Sequence, residues 1–517
     1  MRINRLRRAI LGIVIMLLVG LGIGAAPASS SVQLDVEGTD PAAVLFNPTT
    51  VNRVDLIVPQ TSIDIINSEF TVESEAMWYR ATNFTYVPAK IRIKTETSTY
   101  GPLDVGIRLK GGWGSLTPLS GKAGFKVKVN FASNKNQRLL GLKKLTFNNA
   151  VQDGSYVHEA TSYRLFRNVG VAAPRVGYVR IYMNCAQDMN PEPGSTCVDY
   201  GLHPNIETMD DVALARWVTG TTHLYEGGTP YFPDTYEGAV MQTDLGNEDS
   251  RSGFDDLVRI NQLDGAAWYN EMLKRTHLKQ MTLAWATEMY VGHWDGYATN
   301  RNNFYLHSDA NGKFRMFPWG TDQTWGGLQD LYMADAGQAI MVSKCLSYAP
   351  CRSMYTDSLT YVWYKAQYIG LDSTPRDIYD GILASSMGPQ TDPYRVCDED
   401  CANGQVESML NFMSVRSAQV SAIAKPLALT QPTLSAQLTS RTIALSWAER
   451  KVPGVATTRY QLQRSTNGTT WSNLTPTSAT KTVIKNVKPG AISYYRVRVV
   501  TSVGTTPWSV AVRVKAK

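Results

Sequence analysis

An α+β fold with an all-β module at its C-terminal end is predicted for this 517-residue chain, and three observations predict it. Between Val51 and Phe131, Ile and Val alternate with Arg and Lys at the period of half-buried strands. From Ala266 to Gly292, Leu273, Leu278, Met281, Trp285, Met289 and Val291 supply the apolar face of a helical region. Beyond a Pro-containing linker at 426–432 the helical pattern stops, and short β-branched runs separated by turn residues fill 433–517.

The first residues form no part of that fold. Arg2, Arg5, Arg7 and Arg8 precede an apolar run from Ala9 to Gly24 and an Ala26-Pro27-Ala28 exit. This reads as a secretory signal peptide over 1–28; the competing reading is an uncleaved anchor, for which the run is slightly short. Its removal lowers the formal charge from +7 to +3. A nearly balanced total gives no support to a nucleic-acid partner. No later segment is apolar and long enough to span a bilayer, so a secreted or cell-surface location is expected. The six cysteines pair locally in sequence, Cys185 with Cys197, Cys345 with Cys351, and Cys397 with Cys401. Sequence allows fifteen pairings, and the local one is favoured, as loop-closing disulfides of an oxidising compartment. A zinc site is a poor alternative, because no second Cys or His pair lies near Cys397 and Cys401.

Residues 29–50 are polar and mixed and read as a linker. Val54 to Val58, Ala89 to Thr97, Gly101 to Lys110 and Gly124 to Phe131 read as strands. Tyr156 to Val169 is a helix stopped by Gly170, and Val176 to Met183 is a strand. After the helical region at 266–292, two strand-like runs flank Asp309-Ala310-Asn311-Gly312, a tight hairpin signal. A last helix runs from Val406 to Ala424.

The most telling stretch is His293-Trp294-Asp295, with Asn300 five residues after the Asp, then the hairpin returning Asp322. That is the spacing of a phosphotransfer site: one Asp orients the attacking hydroxyl, an Asn amide holds a metal, and a second Asp holds metal between phosphate oxygens. Each residue has a plainer alternative. Asp295 could instead satisfy loop amides, Asn300 and Asn303 make turns, and Lys126 and Lys128 form a solvated strand face. Trp294, Trp319 and Trp325 read as wall and core, and His293 as a structural hydrogen-bonder.

The ordered motifs extend the case. They are Arg108-Leu109-Lys110-Gly111-Gly112-Trp113-Gly114-Ser115, then Lys122 to Val129, Leu165 to Pro174, Glu207-Thr208-Met209-Asp210-Asp211, Leu224-Tyr225-Glu226-Gly227-Gly228 and Asn303-Phe304-Tyr305-Leu306. From about Val51 to Ala424 the chain resembles the CotH kinase family. The resemblance implies an atypical protein-kinase-like domain over 51–425. It also implies ATP with Mg2+ or Mn2+, and phosphoryl transfer to Ser or Thr of a surface or envelope protein. It makes Asp295 the catalytic Asp, and Asp322 a metal ligand together with Asn300, by the five-residue spacing, or Asn303, by its place before Phe304-Tyr305-Leu306. Lys126 would contact nucleotide phosphates, with Lys128 the alternative on the same strand face and Lys122 a weaker candidate; Glu207 would lie at the nucleotide edge. In one place the chain departs from the family pattern, which carries Asp where this sequence has Gly320.

In the tail, Ala444-Leu445-Ser446-Trp447, Tyr460 to Ser465, Trp471 and Tyr494 to Val499 alternate as strands do, with Trp447 placed for a core. Residues 433–517 resemble a fibronectin type III domain, expected to be a spacer. Three functions follow as expectations: an exported kinase, a non-catalytic surface scaffold with cell-wall or matrix contact, and an enzyme acting on carbohydrate. The last rests only on the Asp255-Asp256 pair and the aromatic content, without a recognisable glycosidase setting.

Overall fold

The computed structural model describes residues 38–70, 84–112, 114–227, 242–246, 252–332, 339–424, 432–448, 457–501 and 504–516. The expected signal peptide and nearly all of the linker at 426–432 lie outside the described residues.

The alternating runs at the start of the chain close into a barrel. Strands β1 (Val51–Ile57), β2 (Val87–Lys94), β3 (Thr99–Lys110), β4 (Gly124–Lys128), β5 (Lys144–Phe147), β6 (Val176–Met183) and β7 (Val198–Ile206) pair in the order β1-β2-β3-β4-β5-β7-β6. The parallel pairing of β1 with β6 completes the ring. Leu56, Ile93, Ile107, Leu109, Phe125, Val127, Phe147 and Ile181 are buried in one apolar cluster. Because strand side chains alternate between faces, Arg108, Lys110, Lys126 and Lys128 share the opposite face of β3 and β4. The register sets Arg108 beside Lys126. Strand β4 is shorter than the expected Gly124–Phe131, since the chain turns after Val129 and the Phe131 ring covers Gly106, where a Cβ would lie 2.5 Å from it.

Two helices accompany the barrel, α1 (Gln60–Glu69) and α2 (His158–Val169). The second ends at Gly170 as its sequence implies, with φ +90 at the cap. Part of the expected linker at 29–50 is instead folded. Residues Pro41–Phe46 make a 3-10 turn capped by Asp40, which accepts the Ala42 N–H at 3.0 Å. Leu45 and Phe46 are buried in the barrel cluster, and Asp40 pairs with Arg175 at 2.7 Å.

The second layer opens with α3 (Asp211–Leu214), β8 (Thr221–Gly227), β9 (Gln242–Leu245) and α4 (Ser252–Ile260). The helical region expected at 266–292 is two helices, α5 (Gly265–Arg275) and α6 (Leu278–Val291). It breaks because Thr276 is extended and the His277 N–H goes to the Phe314 carbonyl at 2.9 Å instead of a helical acceptor. After α7 (Tyr297–Asn300) comes the expected hairpin, β10 (Phe304–Asp309) and β11 (Phe314–Pro318). Asp309 fastens its turn by accepting the N–H groups of Asn311 at 2.9 Å and Lys313 at 3.1 Å. The small sheet has the order β11-β10-β8-β9.

Helices α8 (Ile340–Ser347), α9 (Ala349–Tyr368), α10 (Thr374–Leu383) and α11 (Glu399–Ile423) complete this part. Helix α11 starts seven residues before the expected Val406, because Asp398 caps it and the Cys397–Cys401 disulfide lies at its first turn. The other two disulfides are likewise the local pairs, Cys185–Cys197 and Cys345–Cys351. Just before α11, Asp392 enters the barrel wall. There it pairs with the buried Lys122 and accepts from the Tyr156 hydroxyl at 3.0 Å and the Leu202 N–H at 2.9 Å.

The C-terminal residues form a separate β-rich region. Strands β12 (Thr433–Thr439), β13 (Thr442–Ala448), β14 (Thr457–Ser465), β15 (Ser472–Asn473), β16 (Lys481–Ile484), β17 (Ile492–Thr501), β18 (Gly504–Thr505) and β19 (Val512–Lys515) make two sheets. One has the order β12-β13-β16; the other has β15-β14-β17-β18, with β19 also pairing β17. Trp447 is buried against Tyr460 at a ring separation of 5.3 Å, with Leu445, Leu462, Tyr495 and Val497 around it. Among the described residues no helix is long and apolar enough to cross a membrane.

Candidate active site

Helix α6 stops at Gly292, which adopts the left-handed φ of +67 that favours glycine, and the chain reverses into the Asp295 loop. Two buried side chains fix that loop from behind. The His293 Nε2–H donates to the Trp319 carbonyl at 3.0 Å, and burial pushes the ring down to about 4, so it is neutral near pH 7. Glu288, buried within α6, accepts the N–H groups of Tyr297 at 3.4 Å and Ala298 at 2.8 Å, and burial pushes its carboxyl up to about 8. His293 is thus the structural hydrogen-bonder its sequence setting implies.

The Asp295 carboxylate receives three amide donors. Asn300 donates to Oδ1 at 2.6 Å, and Asn302 and Asn303 donate to Oδ2 at 2.9 Å and 2.7 Å. Burial and the nearby Asp322 carboxylate raise its pKa, while the amides oppose the shift. Arg301 and Asn303 hold positive φ, so this loop is bent tightly around the acid. Beside it Trp294 is 42 % exposed, contrary to its expected place in the wall or core. Trp325 is buried as expected.

Asp322 stands on the segment after β11, which is laid against α2. The Asp322 carbonyl accepts from His158 Nδ1 at 2.9 Å, and Trp325 Nε1 donates to Ser162 at 2.8 Å. Burial raises the Asp322 pKa, Lys110 opposes that shift and Asp153 reinforces it.

Facing these acids is a bridge that sequence reasoning missed. Lys110, the last residue of β3, donates to Asn148 Oδ1 at 3.2 Å, and Asn148 Nδ2 donates to Glu159 on α2 at 2.7 Å. Burial, helped by Asp322, pushes Glu159 up to about 8. Burial lowers the Lys110 pKa, against the pull of Glu159, Asp322 and Glu226. The neighbouring Asn149 pins the Gly-rich turn after β3 by donating to the carbonyls of Ser115 at 2.7 Å and Lys122 at 2.9 Å. A signal was present: Asn148-Asn149 directly ends an apolar strand run, and Glu159 stands at helical spacing on the face of Tyr163 and Phe166. Buried polar groups in such positions need partners, and here they find each other.

Of the expected residues, Asn300 and Asn303 meet at Asp295, and Asp322 acts on it electrostatically. Lys126 lies close enough to Lys110 to lower its pKa. Lys128 stands farther along β4, with its ammonium 5.7 Å from the centre of the Tyr86 ring. Lys122 is in the buried pair with Asp392. Glu207 has both carboxylate oxygens engaged, with Arg175 at 2.8 Å and Arg216 at 2.5 Å.

The oxygen-rich set of Asp295, Asp322 and the Asn amide oxygens is of the chemical kind that hard divalent cations prefer. Among the described residues, however, no group of three or more His, Cys, Asp or Glu side chains gathers to hold a metal ion. Gly320, where the family pattern has an acid, adopts φ +50.

Residues 107–358 match the family model described as CotH kinase protein. The matched stretch spans Lys110, Asn148, Glu159, Asp295 and Asp322, and the match is consistent with kinase-like activity in general. No curated protein matches the chain. Solved structures with local likeness include the sixth fibronectin type III domain of a human fibronectin type III domain containing protein 3. It shows 19% identity over 17% of this chain and 82% of that one, with a TM-score of 0.16. A β-1,2-glucanase from Parabacteroides distasonis shows 21% identity over 17% of this chain and 13% of that one, with a TM-score of 0.16. The twitchin kinase region from C. elegans shows 18% identity over 17% and 16%, with a TM-score of 0.15. Likenesses of this size establish no fold.

Proposed function

We propose that this chain is an exported, kinase-like protein that transfers a phosphoryl group from ATP to Ser or Thr hydroxyls of a surface or envelope protein. One observation carries the reading: a half-buried Asp held by three Asn amides opposes a second Asp and a Lys–Asn–Glu bridge. In this reading Asp295 accepts the proton of the attacking hydroxyl, and its raised pKa brings it nearer the working pH of a base. Lys110 and Lys126 supply positive charge to nucleotide phosphates, with Asn148 and Glu159 holding Lys110 in place. Asp322, with the amide oxygens of Asn300 and Asn303, would hold Mg2+ or Mn2+, which neutralises phosphate charge when bound. Glu207, committed to Arg175 and Arg216, fixes the turn after β7 and acts at the nucleotide edge only through that turn.

The domain limits follow the same reading: a signal peptide at 1–28, a kinase-like domain to 425, and a fibronectin type III domain over 433–517. Oxidised local cysteines agree with a secreted or surface location.

A second reading, a non-catalytic scaffold, is favoured by Gly320, because the family acid is absent there. Calorimetric titration of the mature protein with ATP, with Mg2+ or Mn2+ and then with chelator, separates the two. Metal-dependent heat that disappears in Asp322→Ala supports the transferase. No heat and no thermal shift at millimolar nucleotide leaves the scaffold.

A further inference from the structure

The modest total charge conceals a segregation. Residues 433–517 carry thirteen Lys or Arg against one acid, Glu449, a net charge of +12, whereas residues 29–432 carry 34 against 43, a net charge of −9. So uneven a division points to a charged partner.

The positive charge is organised on the outer face of the five-stranded sheet. On β17, Tyr495, Val497 and Val499 are buried, so Tyr494, Arg496 and Arg498 take the other face. The register sets Gln463 beside Arg496, Gln461 beside Arg498, and Arg513 beside Tyr494. Both guanidinium groups are held in place before any ligand arrives. Arg496 lies 4.1 Å from the centre of the Trp471 ring and 4.7 Å from that of Trp508, and Arg498 lies 4.6 Å from Trp508. Their Nε atoms donate to Gln463 at 2.8 Å and Gln461 at 2.7 Å. That arrangement leaves the terminal nitrogens as two forks roughly 7 Å apart along one strand. Stacked, pre-ordered guanidinium groups lose little freedom on meeting an anion. Arg513 and Lys515, both exposed on β19, extend the patch, and residues 450–517 contain no Asp or Glu to oppose it.

We propose that this face docks the protein on an anionic surface glycan, a polymer whose repeating units carry phosphate, sulfate or carboxylate groups. Arg496 and Arg498 take successive anionic groups, while Trp471 and Trp508 offer apolar surface to the sugar rings between them. Three disulfides place the chain in an oxidising compartment, where surface glycans rather than nucleic acids are the polyanions at hand.

The test measures binding of the mature full-length protein to immobilised dextran sulfate and to poly(glycerol phosphate) over a salt series. Uncharged dextran, duplex DNA and anionic-lipid vesicles are run in parallel. The charged glycans should bind and uncharged dextran should not. Arg496→Gln with Arg498→Gln should weaken binding at least tenfold and reduce the salt slope by about 2. Lys481→Gln with Lys485→Gln, on and just after β16 of the other sheet, should weaken it less than threefold. Should the first pair fail to fold, the exposed pair Arg513→Gln with Lys515→Gln reads the same face, with a several-fold loss expected. Equal losses from the two sheets would reduce the effect to net charge and overturn the proposal. So would silence toward both charged glycans at low salt, or preferential capture by DNA or vesicles.

Discussion

A Cβ built on Gly320 falls 2.6 Å from Cγ of Asn303 and within 2.8 Å of both amide heteroatoms. Asn303 donates to the Asp295 carboxylate, so the space an acid would need at 320 is already filled by the residue that holds the catalytic candidate. Gly320 stands where the CotH pattern carries Asp, and Asn303 occupies the space that side chain would take.

Gly320→Asp should therefore destabilise the protein by about 1–3 kcal/mol, from the positive φ and the contact with Asn303. Chemical denaturation measures this, and ATP titration with Mn2+ should show no gain in affinity. A stable variant with tighter metal-dependent binding would mean that Asn303 yields and that the acid was the missing ligand.

Asp295→Ala should fold and should lower phosphoryl transfer by about 10²–10⁴-fold, the usual contribution of a positioned base. Transfer assays on the purified variant decide the matter; unchanged activity removes Asp295 from the chemistry.

Asn148→Ala leaves the buried Glu159 without its amide donor, at a cost of about 1–3 kcal/mol. Nucleotide affinity should fall as Lys110 loses its bridge. Asn149→Ala should cost similar stability through the Gly-rich turn, so a nucleotide defect larger in Asn148→Ala identifies the bridge.

Glu288 gives a pH signature. Its carboxyl is raised from 4.5 to about 8 in the folded state, so between those values the folded protein binds more protons than the unfolded one. Stability from this group is fully present below about 4.5 and declines as pH rises to about 8, by up to roughly 1.4 kcal/mol per pH unit. Glu288→Gln should flatten that decline, so melting curves of wild type and variant should diverge from pH 5 to 8. Parallel curves would mean that Glu288 ionises normally.

Trp294→Ala should change stability by less than about 0.5 kcal/mol, because the ring is substantially exposed. Its place beside Asp295 predicts a raised KM for a protein substrate with ATP affinity unchanged. Equal effects on both ligands would point to a disturbed loop.

Much of this was legible in sequence because the signals were local. The alternation in β2 and β3, the Asn-Gly hairpin turn, Gly170 at the end of α2 and the three cysteine pairs all act within 12 residues. Asp295, Asn300 and Asn303 were singled out for the same reason, being close in sequence, but Asn302, which also donates to Asp295, was not, and the amide bonds to Asp295 were not foreseen. The Lys110–Asn148–Glu159 bridge was not legible, because its members lie on three elements and meet only once β3, β5 and α2 have packed. The break at Thr276 was hidden too: the acceptor that draws the His277 N–H out of the helix is Phe314, on a strand not yet made when that helix is read. Leu45 and Phe46 looked like linker because their partners are barrel residues far along the chain.

The pairing of Lys122 with Asp392 spans 270 residues. A buried ammonium without a counter-charge is strongly destabilising, so the barrel is electrostatically incomplete until the segment before α11 has arrived. Synthesis in order from the N-terminus delivers Lys122 long before its partner. The barrel is then no independent folding unit, and a fragment ending before residue 392 carries an open seam. Consolidation of the whole domain falls to the last part of it to emerge, a non-local closure of the kind that slows folding.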